Sequence, residues 1–487
     1  MIKENEVAVI YKKKSNYSKS MYFRPDKPYP EYLFKEDVSI ETNDIYEMVR
    51  EGLRLLKYDK ENFKKPIWNP LKEIINKGDT VLIKPNLVMH RNYDPYGEEC
   101  LYTNPSVLAA IIDYVLIALD NTGKIVVGDA PMQECDFETL INESGYNSLI
   151  EYYKNKGVNI ELVDFRNVKT QVKNGIYYKQ ENNSSDNGKI VALGEFSSFS
   201  ELSEERLDNL RITNYDPSIL KEHHNINKHE YYVSKYVLDS DVIINMPKCK
   251  THKKAGVTLS LKNFVGINAN KEFLPHHTNG SKEEGGDAYL SKTSILKMAN
   301  KLLDIKNRNE NYKKYFKAKI AMFFYRACMF VNNKITHSES FFEGSWYGND
   351  TIWRTLLDLN KIAFYADKEG NMCNQRQRNM LIVGDMIVAG EGNGPVSPSP
   401  KDVGIIGIAN NPVCFDQTMS AIMGVDYSLL PTIYNARNYK GIYKISCEEE
   451  PNIISNTDLY NGKDVKEILN DKVFQFKLPS GWKDINQ

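Results

Sequence analysis

Short runs of β-branched and other apolar residues, each stopping at Gly, Asp, Asn or Pro, recur along this chain of 487 residues. Thr80 to Ile83, Lys124 to Val127, Asn159 to Val163, Asp241 to Ile244 and Met380 to Val383 have this form, and Val403 to Ile408 adds a sixth. A strand that is apolar on both sides needs cover on both faces, which a parallel sheet wound with helices supplies. Between the first two runs, Pro105 to Ala118 carries apolar residues at helical spacing behind Thr103 and Asn104, either of which can cap it. Strand, helix and strand at that length make a βαβ unit. The expected fold class is therefore α/β: a mainly parallel, doubly wound sheet with helical and polar insertions.

The length exceeds one simple core, so the expected plan is one main domain with large insertions. Residues 1–79 read as an N-terminal extension packing on the core and 80–169 as a first α/β segment. Residues 170–228 read as a polar insertion with little periodicity beyond a helix around Ser203 to Leu210. Residues 229–289 hold a sheet segment with a Lys/His cluster, 290–362 a helical insertion serving as lid or dimer contact, and 363–487 a C-terminal α/β segment with a Gly-rich loop. Val127-Gly128-Asp129 recurs as Val383-Gly384-Asp385, but one tripeptide does not make a repeat.

Composition excludes several classes. With 63 Lys plus Arg against 64 Asp plus Glu, no overall field favours nucleic acid or an acidic membrane, so any basic site is local. The seven cysteines are scattered without a C-x-x-C pair, which speaks for a reducing compartment and against a cysteine-bound zinc or an iron–sulfur cluster. Met1 to Lys14 lacks the apolar run of a signal peptide. Ala318 to Val331 is broken by Lys319 and Arg326 and falls short of the ~20 residues that cross a bilayer, so it reads as a buried or amphipathic helix. A cytoplasmic protein with no transmembrane segment and no nucleic-acid partner is expected, with a homo-oligomer left open.

Chemistry-bearing residues concentrate just after the strand-like runs. The densest segment, Ile244 to Gly266, reads I-N-M-P-K-C-K-T-H-K-K-A-G-V-T-L-S-L-K-N-F-V-G and gathers Lys248, Lys250, His252, Lys253, Lys254 and Lys262. Two readings stand: a solvated loop of mutually repelling lysines, or a site at the carboxyl edge of the sheet that binds phosphate or carboxylate. Lys248 and Lys250 alternate, so on a regular strand they point the same way. Burial among cations would hold His252 neutral and basic, suited to proton abstraction. Pro85 ends its run and presents Lys84 and Asn86, while Asp129 emerges after Gly128 as a base, a lysine partner or a metal ligand, or merely as a helix cap. Val383 to Pro395 crowds Gly384, Gly390, Gly392 and Gly394 around Asp385 and Glu391, as a backbone passing close to a ligand would; it fits neither a P-loop nor a dinucleotide fingerprint. His276 and His277 read as part of a surface loop.

Catalysis is thus expected from His252, Lys248 and Asp129, and substrate binding from Lys84, Asn86, Lys250, Lys262, Asn263, Gly392 and Gly394. A divalent cation such as magnesium would sit on Asp129, Asp385 and Glu391. The leading function is an enzyme acting on a small phosphorylated or carboxylated metabolite by Lys/His acid–base chemistry. A racemase or epimerase with a metal-containing cofactor, and a non-catalytic anion- or partner-binding protein, are the competing classes.

These segments, in this order, resemble the family named domain of unknown function 362. The matching pieces are K-P-N-L-V from Lys84, G-D-A-P from Gly128, N-M-P-K-C-K-T-H from Asn245, L-K-N-F-V-G from Leu261 and G-E-G-N-G-P from Gly390, framing Thr80 to Gly424. The resemblance implies the fold and the place of the site, and the family's name assigns no reaction. Some members carry an appended ferredoxin-like Cys-rich segment that this sequence lacks, so electron transfer finds no support. A more distant similarity, through an α/β lobe and paired Lys and His chemistry, is to the lactate racemase family that uses a nickel-pincer nucleotide. This chain does not align with that family's nickel-binding histidines, and the cofactor is not carried over.

Overall fold

A computed structural model describes residues 3–182, 188–336, 341–483 and 485. Its central sheet contains β1 (Glu6–Tyr11), β2 (Thr80–Pro85), β3 (Lys124–Asp129), β4 (Ile160–Asp164), β5 (Val242–Met246), β6 (Lys248–His252), β7 (Gly256–Thr258), β8 (Asn379–Asn393), β9 (Ser397–Ala409) and β10 (Asn452–Ser455). Neighbours follow the order β10-β1-β9-β8-β5-β2-β3-β4, with β6 attached to β8 and β7 to β6. The run from β8 through β5, β2 and β3 to β4 is parallel, whereas β9 is antiparallel to both of its neighbours. Each of the six runs read as strands lies in this sheet, and the class is α/β as expected.

The continuous apolar runs follow from cover on both faces. Ala8, Ile10, Val81, Ile83, Ile125, Val127, Val242 and Ile244 enter one core with the helix α1 (Asp44–Leu55) and the helix α2 (Pro105–Leu119). The alternate residues Val7, Val9, Leu82, Val126, Ile243 and Ile382 enter the opposite core. There they meet the helices α5 (Ile352–Tyr365) and α6 (Pro412–Ile422). Of the two capping candidates, Asn104 caps α2, accepting from Ser106 N at 2.9 Å. Thr103 instead ties the strand ends together, donating to Met246 O at 2.7 Å and accepting from Asn86 N at 3.1 Å.

Residues 170–228 hold more regular structure than their polarity suggested. Val168–Lys173 and Ile176–Glu181 form a hairpin, and Lys189–Ala192 pairs with Lys228–Val233. Half-exposed two-stranded elements carry polar residues on the open face, so their apolar alternation is faint. The expected helix near Ser203 is short, Glu204–Asp208, with Ser203 as its cap. In 290–362 the helices α3 (Ser294–Asn311) and α4 (Tyr315–Thr336) pack on each other, whereas α5 is buried along its whole length. Among the described residues no helix is long and apolar enough to cross a membrane.

Candidate functional site

The parallel strands β2, β3 and β5 end side by side, and their last polar residues are joined by one network. Lys84, with no exposure to solvent, donates from Nζ to Asp129 Oδ1 at 2.8 Å, to Pro85 O at 3.0 Å and to Asn263 Oδ1 at 3.1 Å. Burial pushes the Lys84 ammonium below its ordinary value and Asp129 pulls it back. The other oxygen of Asp129 accepts from Leu87 N at 2.7 Å. Asn263 also receives Asn86 Nδ2 at 3.2 Å and donates to Asn245 Oδ1 at 2.8 Å. Gly266 is required here: a Cβ would fall 1.7 Å from Asp129 Oδ1 and 2.7 Å from Lys84 Nζ.

A second pair stands beside the first. Lys248 Nζ lies 3.0 Å from Asp385 Oδ2 and 2.5 Å from Tyr17 Oη, while Tyr17 donates to Asp385 Oδ1 at 2.6 Å. Asp385 also accepts from Asn104 N at 2.9 Å. Lys248 is therefore locked in a buried pair and does not line the cavity. Lys248 and Lys250 flank Cys249 on one strand yet find different partners, and β6 shifts register against β8 between them. Lys250 turns instead to Asn86 Oδ1 at 3.1 Å and to the carbonyl of Leu101.

On the far side of Asn86 and Asn263 the network opens into a cavity of about 240 Å³. Lys250, Lys254, Lys262 and Lys271 line it, together with His252, His276, Asp129, Glu134 and Glu343. Tyr177, Thr213, Asn214 and Tyr215, from the polar insertion, also line it. Lys254 donates to the carbonyl of Glu343 and Lys271 to Ala130 O at 2.8 Å, both neutral acceptors. Among the described residues none of the four lysines has a carboxylate within salt-bridge distance. Burial is the main cause lowering all four ammonium groups: Lys250 and Lys271 to about 7, Lys254 and Lys262 to about 8. Burial likewise pushes the Glu134 carboxyl up.

The two cavity histidines have opposite polarity. His252 Nδ1 accepts from the backbone N–H groups of Lys254 at 3.0 Å and Ala255 at 3.2 Å, so Nε2 carries the ring proton. His276 Nδ1 lies 2.7 Å from the carbonyl of Leu274, which can only accept, so Nδ1 is protonated and Nε2 is a bare lone pair. Burial first, and then Lys254 and Lys262, lower His276 to about 3, and burial with Lys262 lowers His252 far below its ordinary range. Both rings are neutral near pH 7. His252 offers a hydrogen-bond donor to the cavity and His276 an acceptor; of the two histidines the sequence pointed only to His252, as a base.

The remaining expectations sort by position. Asn86, Lys250, Lys262, Asn263, Asp129 and His252 line the cavity, while Lys84 stands directly behind Asp129. Gly392 and Gly394 do not line it: Gly392 takes a left-handed φ of 79°, and Gly394 admits β6, since a Cβ there would fall 2.1 Å from Thr251 O. The three carboxylates assigned to a cation do not converge. Asp129 is held by Lys84, Asp385 by Lys248 and Glu391 by Lys401 at 3.0 Å. Among the described residues no group of three or more His, Cys, Asp or Glu can hold a metal ion. His276 and His277 are not on an open surface loop, since His277 is buried and His276 faces the cavity. Lys271, Glu134, His276 and Tyr17 went unassigned because none follows a strand-like run.

A thylakoid-associated protein of Synechocystis sp. (strain ATCC 27184 / PCC 6803 / Kazusa) is 25% identical over 209 residues, 43% of this chain and 45% of that protein. The match thus spans less than half of that relative's length. No solved structure gives a significant match. The model of the family described as "Domain of unknown function (DUF362)" matches residues 81–187 and 181–421, more than half of the chain and every cavity-lining segment named above. The chain belongs to the DUF362 family.

Proposed function

We propose that this protein is a cytoplasmic enzyme that binds a small phosphorylated or carboxylated metabolite in the lysine-lined cavity and moves a proton on it with the two histidines. One observation carries the reading. The buried lysines away from the cavity wall, Lys84, Lys248, Lys306 and Lys361, each have a carboxylate partner, whereas the buried lysines lining the cavity do not. Unpaired buried ammonium groups are costly unless a ligand supplies the counter-charge. An anion of two or more charges would restore their protonation and hold its reacting carbon between His252 and His276. His276 Nε2 then accepts a proton while His252 Nε2–H stabilises the charge that develops on oxygen. Opposed donor and acceptor roles also suit a racemase or epimerase, which favours that class over simple anion storage.

The test is metabolite extraction from purified protein followed by mass spectrometry, then incubation of the identified compound in D₂O. Deuterium incorporation that disappears in His276→Asn supports proton transfer. A bound anion that never exchanges in the wild type would reduce the protein to an anion-binding role, and Lys262→Met retaining full anion occupancy would remove the site.

A further inference from the structure

Helix α4 is apolar on two opposite sides. Its inner side, with Ala318 and Ala321 buried and Tyr325 and Cys328 partly so, packs against a small core containing Tyr289, Leu296 and Phe342. Its outer side exposes Phe316 (77%), Phe323 (68%) and Phe330 (64%), seven residues apart, with Ile320, Phe324 and Val331 between them. At about 100° per residue these six fall within an arc of roughly 120°. Lys319 and Arg326 follow at one border of that arc and Lys317 at the other. From Tyr312 to Thr336 the chain contains no Asp or Glu.

We propose that this outer face docks on the surface of an anionic lipid bilayer, with the phenylalanines entering the boundary between headgroups and acyl chains. Basic borders around an aromatic stripe let the long side chains reach phosphate groups while their stems cover apolar surface. A second copy of this chain is the poorer occupant. A two-fold contact sets the same patch against itself, and these borders would then face like charges with no acidic residue on the helix to pair them. Helix α4 does not meet the length and apolarity of a membrane span, so it lies in the plane of the interface. Docking bears on the cavity as well. Glu310 of α3 accepts from Tyr177 N at 3.0 Å, and Tyr177 lies on the hairpin that lines the cavity.

Sedimentation of the full chain with vesicles tests this. It should co-sediment with phosphatidylcholine vesicles containing phosphatidylglycerol, remain in solution with phosphatidylcholine alone, and be released by salt. Phe323→Ser combined with Phe330→Ser should cut binding at least roughly tenfold without lowering the melting temperature, because both rings are exposed. Lys319→Glu combined with Arg326→Glu should cut it at least roughly 25-fold, at roughly fivefold per basic residue lost. The proposal is overturned if the wild type binds neither vesicle, if it binds both equally, or if the phenylalanine variant binds unchanged. It is also overturned if that variant instead converts a stable dimer to a monomer.

Discussion

Two sets of lysines lie within one strand-end network and live under different rules. Lys84 and Lys248 are fully buried and each touches a carboxylate, at 2.8 and 3.0 Å. Lys250, Lys254 and Lys271 are also buried and Lys262 is half-buried, yet among the described residues their side chains hydrogen-bond only to amides, carbonyls and a hydroxyl, or to nothing in the case of Lys262. The first set is complete without a ligand and holds the sheet edge together. The second is incomplete, and the missing charge faces the cavity. A lysine-rich motif therefore does two jobs, and the partner, rather than the residue type, tells them apart.

The sharpest break between the sets is stability. Asp129→Ala leaves Lys84 buried and unpaired, and Lys248→Ala does the same to Asp385, so each should cost about 3 to 5 kcal/mol and lower the melting temperature severely. Lys262→Met removes an unpaired cation and should leave the melting temperature unchanged or higher. Equal destabilisation in all three variants would erase the distinction. For Lys248 this puts a loss of stability in place of the catalytic role expected from the sequence.

Affinity should show the reverse ranking. With inorganic phosphate as probe, Lys262→Met should weaken binding about ten- to hundredfold, the size of a charge-assisted hydrogen bond. Calorimetric titration showing wild-type affinity in this variant would mean that the anion sits elsewhere.

Dependence on pH tests the same contrast with a sign. The cavity lysines fall from the ordinary 10.5 to about 7 or 8 in the folded protein. Between those values the unfolded chain holds more protons, so their contribution to ligand-free stability rises with pH from about 7 to 10.5. It is lost again as pH falls back through that window. Anion binding needs the protonated form, so affinity should fall as pH rises through 7 to 8, with proton uptake on binding. Phosphate titrations in buffers of different ionisation enthalpy would reveal the uptake. Equal affinity at pH 6.5 and 9, chosen to bracket the values of about 7 and 8, would show that these lysines do not hold the anion.

The sheet was legible because burial on both faces writes apolar runs such as Val81 to Ile83 into the sequence, and Asn86 and Asp129 were legible because each lies at a strand end. What stayed hidden depends on contacts distant in sequence. Tyr17 meets Asp385 across 368 positions, and β1 enters the sheet between β9 and β10, which no local pattern announces. The different partners of Lys248 and Lys250 come from Tyr17, Asp385, Asn86 and Leu101, all far from both in sequence. His276 escaped because its role comes from a carbonyl two residues away and from cations brought by other segments. Gly390 and Gly394, read from the sequence as passing close to a ligand, pass close to β6.

Lys253 supplies the smallest effect and the control for all the others. It stands in the same run between His252 and Lys254 and lines the cavity, yet it is exposed. Its backbone N–H donates to Gly394 O at 3.0 Å and would survive truncation of the side chain. Lys253→Ala should therefore change stability by less than about 0.5 kcal/mol. A solvated charge near a bound anion contributes about 0.2 to 1 kcal/mol, so phosphate affinity should fall by a factor of roughly two to five at low ionic strength. That loss should vanish in high salt, where the screening length shrinks to about 3 Å, whereas the loss in Lys262→Met should persist in larger part because its side chain is only partly exposed. If Lys253→Ala costs as much as Lys262→Met at high salt, burial does not separate the two, and the anion sits at the cavity mouth among solvated lysines instead of inside.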